Sequence, residues 1–220
     1  MKTNYQKQTD AVIAALPAGG KPRLLLQSCC GPCSSYVLEY LTRYFRVTVL
    51  YYNPNIQPRE EYDKRLHWQR EILAQLPTPE AVDMLECSYD GARYTEAVRG
   101  LEREPEGGAR CTVCFRLRLE ETARLAAEGK FDYFCTTLTV SPHKDAARIN
   151  TIGRALGEQY GVAWLPSDFK KREGYKQSIT LSRELDLYRQ DYCGCLFARA
   201  AQAKNSRTPG REQAEHEIHE

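Results

Sequence analysis

A chain of 220 residues that is 42% hydrophobic can bury a full core without a disulfide or metal staple, so a single folded unit is the expectation. A formal net charge of +2 excludes a bulk polycation, and any contact with nucleic acid must then come from a local basic patch. No run approaches the ~20 consecutive apolar residues of a membrane helix, and Met1 to Ala18 lacks the apolar core of a secretory signal, so a cytoplasmic protein with no membrane partner is expected.

Residues 1–20 read as an N-terminal extension with room for one helix. Arg23 to Ser28 is an apolar run that predicts a buried strand, bounded by Cys29-Cys30-Gly31-Pro32-Cys33. A helix should follow from about Ser34, with Val37, Leu41 and Tyr44 at helical spacing. Val47 to Tyr52 is a second strand, stopped by Asn53-Pro54-Asn55. Pro58 opens a helix to about Leu76, on which Trp68, Ile72 and Leu76 recur every fourth residue. Ala81 to Cys87 is a third strand, followed by a short helix near Tyr94 and a loop, Glu102 to Ala109, rich in Gly, Pro and charge. Thr112 to Glu128 is helical. Phe131 to Thr137 and Val162 to Leu165 are the fourth and fifth strands, separated by a helix from Asp145 to Tyr160.

Strand and helix alternate throughout, which predicts an α/β fold: an open, mostly parallel, Rossmann-like sheet with helices on both faces. In such sheets the binding crevice lies at the carboxyl ends of the strands. Residues 21–203 form the expected catalytic domain, and the polar stretch 204–220 is expected to be a disordered tail.

Nine cysteines in a reducing compartment point to metal binding or catalysis rather than disulfides. Seven fall into three clusters about eighty residues apart: Cys29, Cys30 and Cys33; Cys111 and Cys114; Cys193 and Cys195. Close pairs so widely separated suggest one composite metal site, where small neighbours let backbone N–H groups approach the sulfurs. Cys30-Gly31-Pro32-Cys33 also fits a thioredoxin-like redox pair, but that reading leaves the other paired cysteines unexplained. Four thiolates would make an ordinary zinc site, which seven exceed, whereas one iron–sulfur cluster would leave three thiols for a further iron or a redox pair. Cys87 and Cys135 each stand alone in an apolar strand and read as small buried hydrophobes.

From Pro22 to Phe197 the sequence resembles the QueH-type epoxyqueuosine reductase family. The resemblance rests on Tyr52-Asn53-Pro54-Asn55-Ile56, Glu61-Tyr62, Arg110 to Arg116, Thr136 to Asp145, Ser167 to Lys171, and Tyr188-Arg189-Gln190-Asp191-Tyr192-Cys193-Gly194-Cys195. It implies removal of the epoxide oxygen of epoxyqueuosine in tRNA, the last step of queuosine biosynthesis. It also implies Cys29, Cys30, Cys111, Cys114, Cys193 and Cys195 as metal ligands; the expected cofactor is a [4Fe-4S] cluster, which takes four of the thiols, with an additional iron as a further possibility for the rest. Cys33 joins this set, although some relatives carry aspartate there, a residue that also ligates iron.

Opening an epoxide to an alkene takes two electrons and two protons and releases water. Iron–sulfur chemistry supplies single electrons, and an iron with an open position is a Lewis acid. His143 and Lys144, on the expected rim, are candidate proton donors, and Asp168 is a candidate either for the site or for a helix cap. Lys170, Lys171, Arg172 and Lys176, interleaved with Tyr175, are the candidate RNA contacts; the bland alternative is a solvated charged face. No flavin or nicotinamide fingerprint is visible, so an external low-potential electron-donor protein is the expected partner. Two other classes stay open: a tRNA-thiolating enzyme of similar fold, which would need a Gly-rich phosphate loop where Cys-Cys-Gly-Pro-Cys stands, and a zinc-stabilised RNA-binding module.

Overall fold

The computed structural model describes residues 3–205. Five strands, β1 (Arg23–Gln27), β2 (Arg46–Tyr51), β3 (Asp83–Glu86), β4 (Tyr133–Thr136) and β5 (Ala163–Trp164), form one parallel sheet in the order β3-β2-β1-β4-β5. The expected parallel α/β architecture is borne out, with β2 shifted by one residue from its expected run and the other four strands a little shorter than theirs.

Because β1 is central, its residues are covered on both faces, and Leu24, Leu25 and Leu26 are fully buried. Leu24 and Leu26 pack with Val47 and Val49 beneath α2 (Gly31–Leu41) and α3 (Arg59–Gln75), which contribute Val37, Leu38, Leu41 and Ile72. Leu25 turns the other way, joining Leu50 and Phe134 under α5 (Ala109–Glu128) and α6 (Ala146–Tyr160) through Phe115, Leu119, Ile149 and Leu156. The period-2 alternation of side chains along β1 therefore divides the core into two halves.

Two helices begin earlier than their apolar periodicity predicts. α2 opens at Gly31 rather than Ser34, because Pro32 has the fixed φ that suits a first turn and gives up an N–H that would be unsatisfied there anyway. α5 opens at Ala109 rather than Thr112, its N-cap Gly108 being extended. Both shifts place cysteines inside a first turn or just beyond it.

α1 (Tyr5–Ala14) is the helix expected in the N-terminal segment, and it docks on the α2 side of the core. Thr9 is fully buried and its hydroxyl donates to the Pro166 carbonyl at 2.7 Å. α4 (Gly91–Ala97), α7 (Gly174–Glu184) and α8 (Leu196–Asn205) complete the fold. Of the stretch expected to be a tail, Lys204 and Asn205 end α8 and residues 206–220 lie outside the described residues. Among the described residues no helix is long and apolar enough to cross a membrane.

Strand order reverses between β1 and β4: one connection leads outward to β2, the other to β5. A crevice opens at the carboxyl ends of strands at such a reversal. Cys29 leaves β1 at that point, and its N–H donates to Thr137 Oγ1, just beyond β4, at 3.4 Å.

Candidate metal centre and its cavity

The β1–α2 loop is fixed from below by a buried polar network. Asn53 donates to the Ser28 carbonyl at 2.8 Å; the Ser28 and Ser34 hydroxyls meet each other, and Gln69 Oε1 lies within hydrogen-bond reach of both, at 2.6 and 2.8 Å. Gly31 allows α2 to start against α3, since a Cβ there would lie 2.6 Å from the Trp68 carbonyl oxygen. So held, Cys29, Cys30 and Cys33 bring their sulfurs within 4.8 Å of one another. Sulfur hydrogen bonds from Cys30 and Cys33 hold Cys29 well below the usual thiol range in spite of its burial. The same contact with Cys29 pushes Cys30 up to about 12 and raises Cys33 as well. Cys29 is thus the thiol of the trio most ready to bind as thiolate, and a bound cation would expel the remaining protons.

Each cysteine cluster sits at the start of a helix. Cys30 is the N-cap of α2, Cys111 lies in the first turn of α5 with Cys114 one turn on, and Cys195 immediately precedes α8. Helix N-termini bring partial positive charge and free N–H groups to the sulfurs, which favours thiolate over thiol. The Gly107 N–H reaches Cys111 Sγ at 3.2 Å and the Ala198 N–H reaches Cys195 Sγ at 3.4 Å. Side chains add two more donors: Gln190 Nε2 to Cys30 Sγ at 3.0 Å and Lys144 Nζ to Cys193 Sγ at 3.2 Å.

Cys114, Cys193 and Cys195 pack together with Tyr94, while Cys111 shares the α5-side core with Cys29. Burial pushes Cys114 up to about 12 and raises Cys195. Gly194 makes the turn between Cys193 and Cys195 at φ +110°, and its carbonyl accepts from the Gln57 N–H at 2.9 Å. Arg65, 1% exposed, braces the same turn: it pairs with Glu61 at 2.6 Å and donates to the Tyr192 and Cys193 carbonyls.

A cavity of about 580 Å³ opens onto Cys29, Cys33 and Cys193, well within the range that accommodates a small ligand. Its wall carries Arg65, Arg118, Lys144 and Arg189 against Glu106 and Asp191, with Tyr175 at one side. His143 is exposed on the rim, whereas Lys144 is mostly buried and pairs with Glu106 at 2.8 Å. Burial opposes its charge, but Cys193 and Glu106 outweigh that and hold the ammonium above the usual lysine range.

Asp168 does not line the cavity; it is buried and pairs with Lys170 at 2.6 Å. Lys170, Lys171, Arg172 and Lys176 also lie outside the cavity lining, Arg172 paired with Asp10 at 2.6 Å and Lys176 with Glu173 at 3.6 Å. Cys135 is buried in β4 and Cys87 is half-buried; neither is in the cavity lining.

Sequence reasoning did not single out Arg65, Tyr94 or Arg118, nor Gln190 as a sulfur contact. Arg118 carries a signal in hindsight: it follows Cys114 by four residues, hence on the same helix face.

The family described as "Epoxyqueuosine reductase QueH" matches residues 24–201. The chain belongs to that family. It is 46% identical over 180 residues to the "Epoxyqueuosine reductase QueH" of Streptococcus pyogenes, covering 81% of this chain and 71% of the relative. Identity to the proteins of the same description from Staphylococcus epidermidis and Staphylococcus aureus is 42% over 202 residues and 38% over 216, covering 90% and 96% of this chain and 85% and 90% of theirs. Family membership makes the chain an oxidoreductase of the epoxyqueuosine reductase type, and the matched span includes all seven paired cysteines.

Proposed function

We propose that this chain reduces the epoxide of epoxyqueuosine in tRNA to the alkene of queuosine, using a [4Fe-4S] cluster and a second iron held among Cys29, Cys30, Cys33, Cys111, Cys114, Cys193 and Cys195. The observation that carries the reading is the convergence of three sulfurs within 4.8 Å at a cavity that Cys193 also lines. The donor set fits such a group: soft thiolates at helix starts, with backbone, amide and ammonium donors on four of the sulfurs. Bound there, iron–sulfur chemistry supplies single electrons and the Lewis acidity of iron. An external low-potential protein supplies those electrons.

The chain's own groups do the rest. The cavity, at about 580 Å³, is roomy enough for a modified base. Two electrons and two protons convert epoxide to alkene and water, and Lys144, kept charged at its Nζ, holds one such proton beside Cys193. His143, on the rim, exchanges protons with solvent. Tyr175 offers a ring for an unstacked base, while Lys170, Lys171, Arg172 and Lys176 on the adjoining segment take the tRNA backbone. Asp168 orients that segment through Lys170.

The test is to incubate tRNA bearing epoxyqueuosine with anaerobically reconstituted protein and a strong low-potential reductant, without cobalamin, and analyse the digested nucleosides by mass spectrometry. Loss of one oxygen to give queuosine is expected. Persistence of epoxyqueuosine with fully metallated protein would overturn the reading.

A further inference from the structure

Three arginines, Arg65, Arg110 and Arg118, are almost fully buried. Arg65 has the Glu61 carboxylate at 2.6 Å and two carbonyls. Arg110 has the carbonyls of Leu101, Glu102 and Glu104. Arg118 is different: among the described residues neither a carboxylate nor a close ring of carbonyls serves it, and its hydrogen bonds, to the Cys114 carbonyl and Asn53 Oδ1, are both long at 3.5 Å. A buried guanidinium with neither a counter-charge nor good hydrogen bonds costs several kcal/mol, and a negative charge beside it would offset that cost. The ionisable groups acting on Arg118 are the thiols of Cys114, Cys29 and Cys193, drawn from all three cysteine clusters, and the Tyr94 phenol, which burial holds in its neutral form. Arg118 also lines the cavity, so its charge reaches whatever the cavity holds.

We propose that Arg118 is a positioning residue for the metal centre: a fixed cation, left unpaired by the protein, whose counter-ion is the negative charge of the metallated thiolates. This rests on the iron–sulfur reading above and adds to it a role for a residue that ligates nothing. Each added electron makes a thiolate-bound cluster more negative, so a cation in low-dielectric surroundings favours the reduced form and raises the reduction potential. The protein thereby makes its centre easier to reduce. The long contact to Asn53 keeps the guanidinium in place without neutralising it.

The experiment is an anaerobic redox titration of the reconstituted full chain, followed by visible absorbance, on the parent, Arg118→Met, Arg118→Gln and Arg118→Lys. Arg118→Met and Arg118→Gln both remove the charge, the first with an apolar and the second with a polar side chain. Both should lower the midpoint potential, reducing the reduced-to-oxidised ratio at a fixed potential by about ten-fold or more, which is about 59 mV for one electron. Arg118→Lys keeps the charge and should stay closer to the parent. Where Arg118→Met does not fold, Arg118→Gln against Arg118→Lys decides. A parent midpoint retained in either neutral variant overturns the proposal. A parent chain that acquires no iron or sulfide sinks the reading beneath it, and the proposal falls with that distinct result.

Discussion

Removing the Glu61 carboxylate strands a buried cation that braces the third cysteine cluster. Glu61→Ala leaves Arg65, 1% exposed, with no carboxylate: the Tyr192 and Cys193 carbonyls at 3.2 and 3.4 Å and the Tyr192 ring at 5.1 Å remain. Breaking a buried pair by deleting one partner costs about 3–5 kcal/mol. At about 2–4 °C per kcal/mol for a chain of this size, the melting temperature should fall by roughly 6–20 °C. Glu61 retains 13% side-chain exposure, which lets some water reach the vacated site and favours the lower half of that range. Arg65→Met added to Glu61→Ala removes the stranded charge, so the double variant should recover at least half of the loss. Urea and thermal unfolding of the metal-stripped, reduced chain, followed by circular dichroism, give the cycle. A loss below about 1 kcal/mol for Glu61→Ala, or a double variant no better than the sum of the single ones, would refute the buried-pair argument.

Gly194→Ala should cost about 1–3 kcal/mol and lower iron content, because φ is +110° and a Cβ would sit 3.0 Å from both Arg65 Nη1 and Ile56 Cγ1; metal analysis and melting temperature check it. Burial pushes Cys135 up to about 12, so thiolate is lost as pH falls through that value and at pH 8 only on the order of one thiol in ten thousand is ionised. Iodoacetamide at pH 8 should therefore spare Cys135 in the folded chain, as peptide mass spectrometry would show, and Cys135→Ala should leave iron content unchanged. Neutralising Lys170, Lys171 and Arg172 together should weaken tRNA binding and reduce its salt slope by about 0.9 for each phosphate that no longer meets a cation, with iron content as in the parent. Equal affinity and slope would mean that this segment is a solvated face.

The strands were legible because β1, β2 and β4 are buried on both faces, which leaves continuous apolar runs such as Leu24-Leu25-Leu26. The starts of α2 and α5 were less so: their first turns are buried by Gly31, Pro32, Arg110 and Cys111, residue types that do not register as an apolar helical repeat. Paired spacing marked the seven cysteines, and the position after β1 marked the crevice. What spacing could not disclose was partnership. Arg172 finds Asp10 162 positions away, and Arg65 braces the Cys193 carbonyl across 128, contacts made only by tertiary packing. Arg118 looked like any basic residue on an amphipathic helix until its burial with only two long contacts set it apart.

Whether three separate cysteine clusters build one iron–sulfur centre is decided by iron and acid-labile sulfide per chain, measured on anaerobically purified parent and on Cys29→Ala, Cys114→Ala and Cys87→Ala. A shared centre predicts at least about four irons and about four sulfides in the parent and in Cys87→Ala, with heavy loss of both in Cys29→Ala and Cys114→Ala. Stoichiometric zinc without sulfide in the parent, or full iron and sulfide in both ligand variants, would rule that centre out.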